Sequence, residues 1–297
     1  MWLSSKSEQT WIVKNSDART AIVRRARDAP FKRQIAFAIG NVLARALPAR
    51  SHSIVAGSRA EKLLDRLIRR GIQGQAIREG DHARLRDLLR NYWRREGLSF
   101  GSEYAFRFKE QFLERDSEVV YFAIEALAKC DLKNVVEFGC GNGKVLEYVS
   151  QKLPCCEELI GIDISPERIE ANKGHYHDPR LKFVANNALD WIRTYAKPSM
   201  MLMANGGVLE YFLKEEVEEV FDLISRHEKT AIALIETVGS DHDLENDSDT
   251  HPYGRELAFS HNYVHLLTKA GFEVQYFTER PGEYGDRWVR VFATCVR

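Results

Sequence analysis

Hydrophobic positions in the first 130 residues recur three and four apart, whereas from residue 134 they fall into short runs separated by helical stretches. Residues 16–50 hold two amphipathic patterns, Ile22, Val23 and Ala26, then Phe31, Ile35, Ile39, Val42 and Leu43, divided by Pro30. Ser58 and Glu61 form a capping box ahead of Leu63, Leu64, Leu67 and Ile68, with Gly71 as the expected stop. Asp81 is placed to cap a helix carrying Leu85, Leu88, Leu89 and Tyr92, with Gly97 beyond its end. Ser117 is the expected cap of another, carrying Val120, Phe122, Ala123 and Leu127.

Seven runs then predict strands: Val135–Phe138, Leu159–Asp163, Lys182–Ala185, Met200–Ala204, Ala231–Thr237, Glu273–Phe277 and Trp288–Cys295. Helical stretches between the first six imply parallel pairing. The turn with Pro281, Gly282 and Gly285 leaves no room for a helix, so the last two should form an antiparallel hairpin at the sheet edge. The expected fold is α/β: a seven-stranded, mostly parallel, doubly wound sheet with an antiparallel C-terminal hairpin and an N-terminal helical extension. Three parts follow: a basic helical extension over 1–57, a helical cap over 58–116, and the sheet domain over 117–297.

Composition changes this picture in one respect. With 44% hydrophobic and 29% charged residues, the 297-residue chain has the profile of a soluble globular protein, and no run approaches the roughly 20 apolar residues of a spanning helix. No signal-peptide pattern opens the chain, so a cytoplasmic location is expected. Its five cysteines lack paired zinc-type spacing and read as reduced thiols. Net charge is zero, yet residues 1–100 carry 21 lysines and arginines against 9 acids while the remainder carries 22 against 34. The basic amphipathic stretch over 16–50 is therefore a candidate for peripheral contact with an anionic membrane, or for packing on its own protein. Nucleic acid is less favoured, because no basic run is interleaved with stacking aromatics.

The first predicted strand ends in Glu137-Phe138-Gly139-Cys140-Gly141-Asn142-Gly143-Lys144 and turns at once into a helical pattern. Positions without side chains let a ligand approach the backbone at a helix N-terminus. The second strand ends in Asp163, 24 residues after Gly139, where a carboxylate can accept from both hydroxyls of a ribose. A dinucleotide fingerprint has its glycines as G-x-G-x-x-G; here they alternate, with an acid two residues before the first.

This region, over roughly 117–297, resembles the class I S-adenosylmethionine (SAM)-dependent methyltransferases. The resemblance implies that Glu137 helps fix the methionine ammonium, that Gly139, Cys140 and Gly141 line the amino-acid moiety, that Asp163 holds the ribose, and that Ile164 packs on the adenine. Asn187-Ala188 stands where family members commonly have Asp-Ala to read the adenine edge, and an amide oxygen can still accept from the adenine amino group. Asn205, with Gly206-Gly207-Val208-Leu209-Glu210-Tyr211-Phe212, forms the loop that in this superfamily sits beneath the transferring methyl group. It lacks the Asn/Asp-Pro-Pro-aromatic motif of amino-directed enzymes, the paired glutamates of arginine methyltransferases and the Pro-Cys of cytosine C5 enzymes.

The implied activity is methyl transfer to a hydroxyl of a small molecule or glycan, and the Gly-Gly-Val-Leu-Glu-Tyr stretch is similar to bacterial enzymes of sugar and cell-surface polysaccharide modification. Two alternatives stand beside it: an RNA or protein methyltransferase docking through the basic N-terminal region, or a SAM-binding partner without turnover. The segment from Tyr104 to Phe112 and the acidic loop from Gly239 to Leu257 are expected to close over the acceptor. His261, then His251, are the candidate general bases, with Glu210 or Tyr211 as substitutes. Ser260 would cap the helix that places His261 at the rim. Asp241-His242-Asp243 are adjacent rather than convergent, so no metal is expected.

Overall fold

The computed structural model describes residues 30–46, 59–100, 108–254, 256–282 and 286–295. All seven predicted strands are present, in the order β3-β2-β1-β4-β5-β9-β8: β1 (Asn134–Phe138), β2 (Glu158–Asp163), β3 (Leu181–Ala185), β4 (Met200–Asn205), β5 (Thr230–Gly239), β8 (Glu273–Pro281) and β9 (Asp286–Cys295). The first five pair in parallel. β9 runs antiparallel between β5 and β8, so the hairpin supplies the edge through β8 alone. Its ten residues pair with all ten of β5, every one of which is buried. Two three-residue strands, β6 (His251–Tyr253) within the segment expected to be loop and β7 (Ala258–Ser260) just after it, form a flap. They are too short for alternation to reveal.

Helices cover both faces of the sheet, as continuous apolar strands require. One face, with Val136, Phe138, Leu202 and Leu234, packs on α7 (Ala188–Tyr195), α8 (Lys214–Ser225) and α9 (Tyr263–Lys269). The other, with Val135, Leu159, Met201 and Ala233, packs on α4 (Ser117–Cys130) and α5 (Lys144–Lys152), with Ile169 of α6 (Pro166–His175).

Three helical expectations change. Helix α1 (Pro30–Ala46) opens at Pro30 as expected, but α2 (Arg59–Glu79) runs through Gly71 instead of ending there. A Cβ on Gly71 would stand 2.0 Å from the carbonyl carbon of Gly40 on α1, so Gly71 is kept for the helix crossing and its bare face is what brings the two backbones together. Helix α3 (His82–Phe100) starts behind Asp81, whose Oδ1 accepts from the Arg84 amide at 2.9 Å, and it includes Gly97. Ser117 caps nothing. A π-helical segment over Phe108–Asp116 leads directly into α4, and the Ser117 hydroxyl donates back to the Leu113 carbonyl at 2.7 Å. The Ile22–Ala26 pattern, Ser58 and Tyr104 lie outside the described residues. Ile35, Ile39 and Val42 of α1 are exposed. No helix among the described residues is long and apolar enough to cross a membrane.

Helices α2 and α3 dock on the sheet domain through Ala76, Leu85 and Leu89 against Leu257 and Phe259, with Gln73 Nε2 donating to the Glu256 carbonyl at 2.8 Å. Arg86 and Arg90 of α3 both reach Glu216 of α8 at 2.8 Å.

Gly71→Val would force α1 away from α2, an overpacking cost of about 1–3 kcal/mol or more. Limited proteolysis should then cut within residues 30–79 first, while the sheet domain keeps its unfolding transition.

Candidate functional site

β1 lies between β2 and β4, so the connections leaving its two sides diverge and open a crevice at the carboxyl ends of these strands. The crevice has about 950 Å³ of empty space, its solvent mouth included.

The glycine loop after β1 forms one wall and is held from three directions. Gly141 N–H donates to Asp163 Oδ2 at 3.0 Å, Asn172 Nδ2 donates to the Gly141 carbonyl at 2.8 Å, and the Tyr176 hydroxyl donates to the Asn142 carbonyl at 2.7 Å. Gly141 has φ +49°, and a Cβ there would meet only open space, with its nearest neighbour 4.0 Å away. The backbone is thus presented bare to whatever occupies the crevice.

Of the residues singled out in the sequence, Gly139, Gly141, Asp163, Ile164, Asn187, Ala188, Asn205 and Tyr211 line this crevice. Asp163 Oδ1 also accepts from the Ser165 amide at 2.9 Å, and burial pushes its carboxyl up from the usual aspartate range. Asn187 Oδ1 caps α7, accepting from Leu189 N at 2.9 Å and Asp190 N at 3.4 Å. That oxygen holds the first turn of the helix and lies at the crevice wall.

Five other candidates lie off the crevice wall. Cys140 is buried, and a Cβ on Gly161 would stand 2.8 Å from its Sγ, so the thiol packs on the sheet. Glu137 is 2% exposed beneath the loop, with Oε2 lacking a hydrogen-bond partner. Burial, then the nearby Asp163 charge, pushes its carboxyl well above the usual glutamate range.

The rim position expected of His261 is corrected. It is fully buried, Asn262 rather than Ser260 caps α9, and Nε2 stands 3.1 Å from both the Leu209 and Phe212 carbonyls. Thr250 Oγ1 is 2.9 Å from its Nδ1, and burial lowers its pKa to about 4. Both ring nitrogens are engaged, so the imidazole serves as a fixed brace for the turn after β4. His251 is on the flap, its Nε2 2.8 Å from Asp247 Oδ2. Phe108 and Phe112 stack on each other and pack against Tyr148.

Glu210 stands directly behind the crevice floor. A Cβ on Gly207, which lines the crevice, would be 2.6 Å from Glu210 Oε1. The Tyr253 hydroxyl donates to Glu210 Oε2 and lies 2.6 Å from Thr237 Oγ1. Glu210 is partly exposed, yet the protein crowding it pushes its carboxyl up to about 7.

Three functional positions escaped the sequence reading. Arg90 and Trp93 of α3 line the crevice opposite the glycine loop, with the Trp93 ring 5.7 Å from that of Tyr211. They read as one face of an ordinary basic helix, and nothing local marks them. The third is Glu236 at the end of β5, fully buried, whose Oε2 accepts from Val208 N and Leu209 N, each at 3.0 Å. The acid breaking an apolar strand was its visible signal. Burial raises its pKa to about 8.

Comparison with known proteins places this geometry. Residues 135–230 match the methyltransferase domain family. Over 121 residues the chain is 32% identical to the small RNA 2'-O-methyltransferases of Mus musculus and Rattus norvegicus, a match covering 40% of this chain and 26% of each relative. It thus spans about a quarter of the length of these relatives. Similar solved structures include magnesium protoporphyrin IX methyltransferase from Synechocystis PCC 6803 with SAH (13% identity, 71% of this chain and 99% of that one, TM-score 0.49). Another is N-methyltransferase NodS from Bradyrhizobium japonicum WM9 (14%, 62% and 90%, TM-score 0.42). Residues 135–230 are thus similar to a methyltransferase domain, for which the resemblance read in the sequence implies SAM as cofactor. The crevice suits such a cofactor: a bare Gly141 backbone, an acid at the end of β2, and Ile164 and Ala188 in the adjoining wall.

Glu236 gives the fold a pH dependence. The folded carboxyl keeps its proton up to about pH 8, while the unfolded one releases it near 4.5, so the folded state binds more protons in that window. Stability should fall from about pH 4.5 to 8 and then level. Glu236→Gln should show a shallower fall in urea denaturation midpoints between pH 5 and 8, by about 1.4 kcal/mol per pKa unit removed.

Proposed function

We propose that the protein transfers the SAM methyl group to a hydroxyl of a small molecule or glycan. The observation that carries this reading is Glu210, poised near neutrality against Tyr253 and adjoining the crevice floor at Gly207. SAM, when bound, supplies a methyl group already activated by its sulfonium.

The chain's own task is to hold, orient and deprotonate. Asp163 accepts from the ribose hydroxyls while anchoring Gly141, and Ile164 and Ala188 flank the adenine. Trp93, Tyr211 and Phe212 offer flat apolar faces to a ring-bearing acceptor, and Arg90 stands over Phe212, 4.6 Å from its ring centroid. Methyl transfer needs alignment and exclusion of water more than acid–base machinery. Glu210 takes the hydroxyl proton as the methyl arrives, a role for which a pKa near the working pH is best. This replaces His261, whose nitrogens are spoken for.

A second reading is transfer to an RNA 2'-hydroxyl, favoured by the similarity to the mouse and rat small RNA enzymes. Incubation with methyl-labelled SAM separates the two. Label in a glycan or small-molecule fraction, stable to ribonuclease, supports the first; label released as 2'-O-methyl nucleotides supports the second; its absence from every fraction supports a partner without turnover.

Two sets of variants test the residues. Asp163→Ala should weaken SAM binding by about 1.5–3 kcal/mol in calorimetry, and Gly141→Val should weaken it similarly because a branched side chain fills the approach. Unchanged affinity in folded variants would remove the cofactor assignment. Glu210→Gln should keep SAM affinity but lower turnover roughly 10²–10⁴-fold and abolish an alkaline rise in rate with apparent pKa near 7. Parent-like turnover and pH profile would exclude Glu210 as the base.

A further inference from the structure

The segment leaving β5 folds back so that His242, Asp247 and His251 converge, with one ligating atom from each within 4.8 Å of the others. In the sequence only the adjacent Asp241-His242-Asp243 stands out, and no metal is expected there. We propose that His242, Asp247 and His251 bind a zinc ion, with a fourth position left to water. This inference stands apart from the methyl-transfer reading.

Two imidazoles and one carboxylate are a donor set for zinc rather than for the oxygen-seeking calcium or magnesium. Bonds of about 2.0–2.2 Å in a tetrahedron put ligand atoms about 3.4 Å apart, so adjustments of up to about 1.4 Å from the present spacing of at most 4.8 Å close the set. Asp247 Oδ2 and His251 Nε2 are already 2.8 Å apart, and the His242 and His251 ring centroids are 5.2 Å apart.

The supports of a built site are present. His242 is 5% exposed; its Nδ1 lies 2.7 Å from Ser260 Oγ and its Nε2 3.3 Å from the Asp247 carbonyl, a contact that Nε2 exchanges for the ion in the tautomer whose Nδ1 hydrogen Ser260 Oγ accepts. Asp247 is held through its backbone: its amide donates to the Asp243 carbonyl at 2.8 Å, and its carbonyl accepts from Asn262 Nδ2 at 2.9 Å. Its Oδ1 accepts from the Asp249 amide, leaving Oδ2 toward the histidines. His251 is half exposed, free to make the closing adjustment and to leave the outer position to water. An ion here would tie the segment from 242 to 251 to the flap, two residues before Tyr253.

The test uses tag-free, metal-stripped full-length protein. Titrated with zinc against a chromophoric chelator, it should bind one equivalent with a Kd of about 1 μM or below. His251→Ala and Asp247→Asn should each weaken binding at least 10-fold, as loss of a ligand should. His265→Ala, an exposed histidine outside the cluster, should not. Cobalt loading should give tetrahedral nitrogen/oxygen bands without thiolate charge transfer. Absence of zinc binding by the parent, or the same affinity in parent, His251→Ala and Asp247→Asn, overturns the proposal; the second result would assign the ion to thiols. Circular dichroism checks folding, and if Asp247→Asn unfolds, His251→Ala on its half-exposed side chain decides.

Discussion

The turn from Val208 to Phe212 runs through the interior, where each backbone N–H and C=O must find a partner. Glu236 accepts from the amides of Val208 and Leu209, and His261 stands between the carbonyls of Leu209 and Phe212. A carboxyl at the end of β5 and an imidazole just after β7 thus hold opposite sides of one turn. That turn sets Gly206 and Gly207 on the crevice floor, turns Glu210 toward Tyr253, and sends Tyr211 and Phe212 toward α3. Loss of either anchor would leave buried polar groups unpaired, a cost of about 1–3 kcal/mol each.

The same turn explains why the helices before the sheet domain belong to the site. Leu213 and Tyr211 pack with Leu257 and Phe259 against Ala76, Leu85 and Leu89. Glu216, at the start of α8, receives Arg86 and Arg90 and also accepts from the Leu213 amide at 2.9 Å. α3 is therefore held at both its apolar and its charged face, and Trp93 is delivered over Tyr211. The crevice is a joint product: its glycine-loop end belongs to the sheet domain, its aromatic end is shared with a separate helix.

Charge is distributed to match. Acids at the strand ends are withdrawn from water to different depths, Glu137 and Glu236 fully, Glu210 in part, and their carboxyls rise accordingly. The partners differ with the depth: Glu236 holds the amides of Val208 and Leu209, whereas Glu210 meets the Tyr253 hydroxyl.

Along the chain itself, the strands, their parallel sense and the glycine loop with Asp163 were legible, because backbone geometry at a strand–turn–helix junction depends on residues close in sequence. The cap at Asp81 was legible for the same reason. Gly71 was misread because a glycine that ends a helix and one that admits a neighbouring helix look alike until the neighbour is placed. His261 was misread because a histidine near a helix start carries no mark of whether carbonyls from residues about 50 positions earlier will enclose it. Arg90, Trp93, the Glu210–Tyr253 pair and the His242–Asp247–His251 cluster were decided by the tertiary structure, since each depends on contacts among elements whose approach is set by packing, and packing is not written in local periodicity.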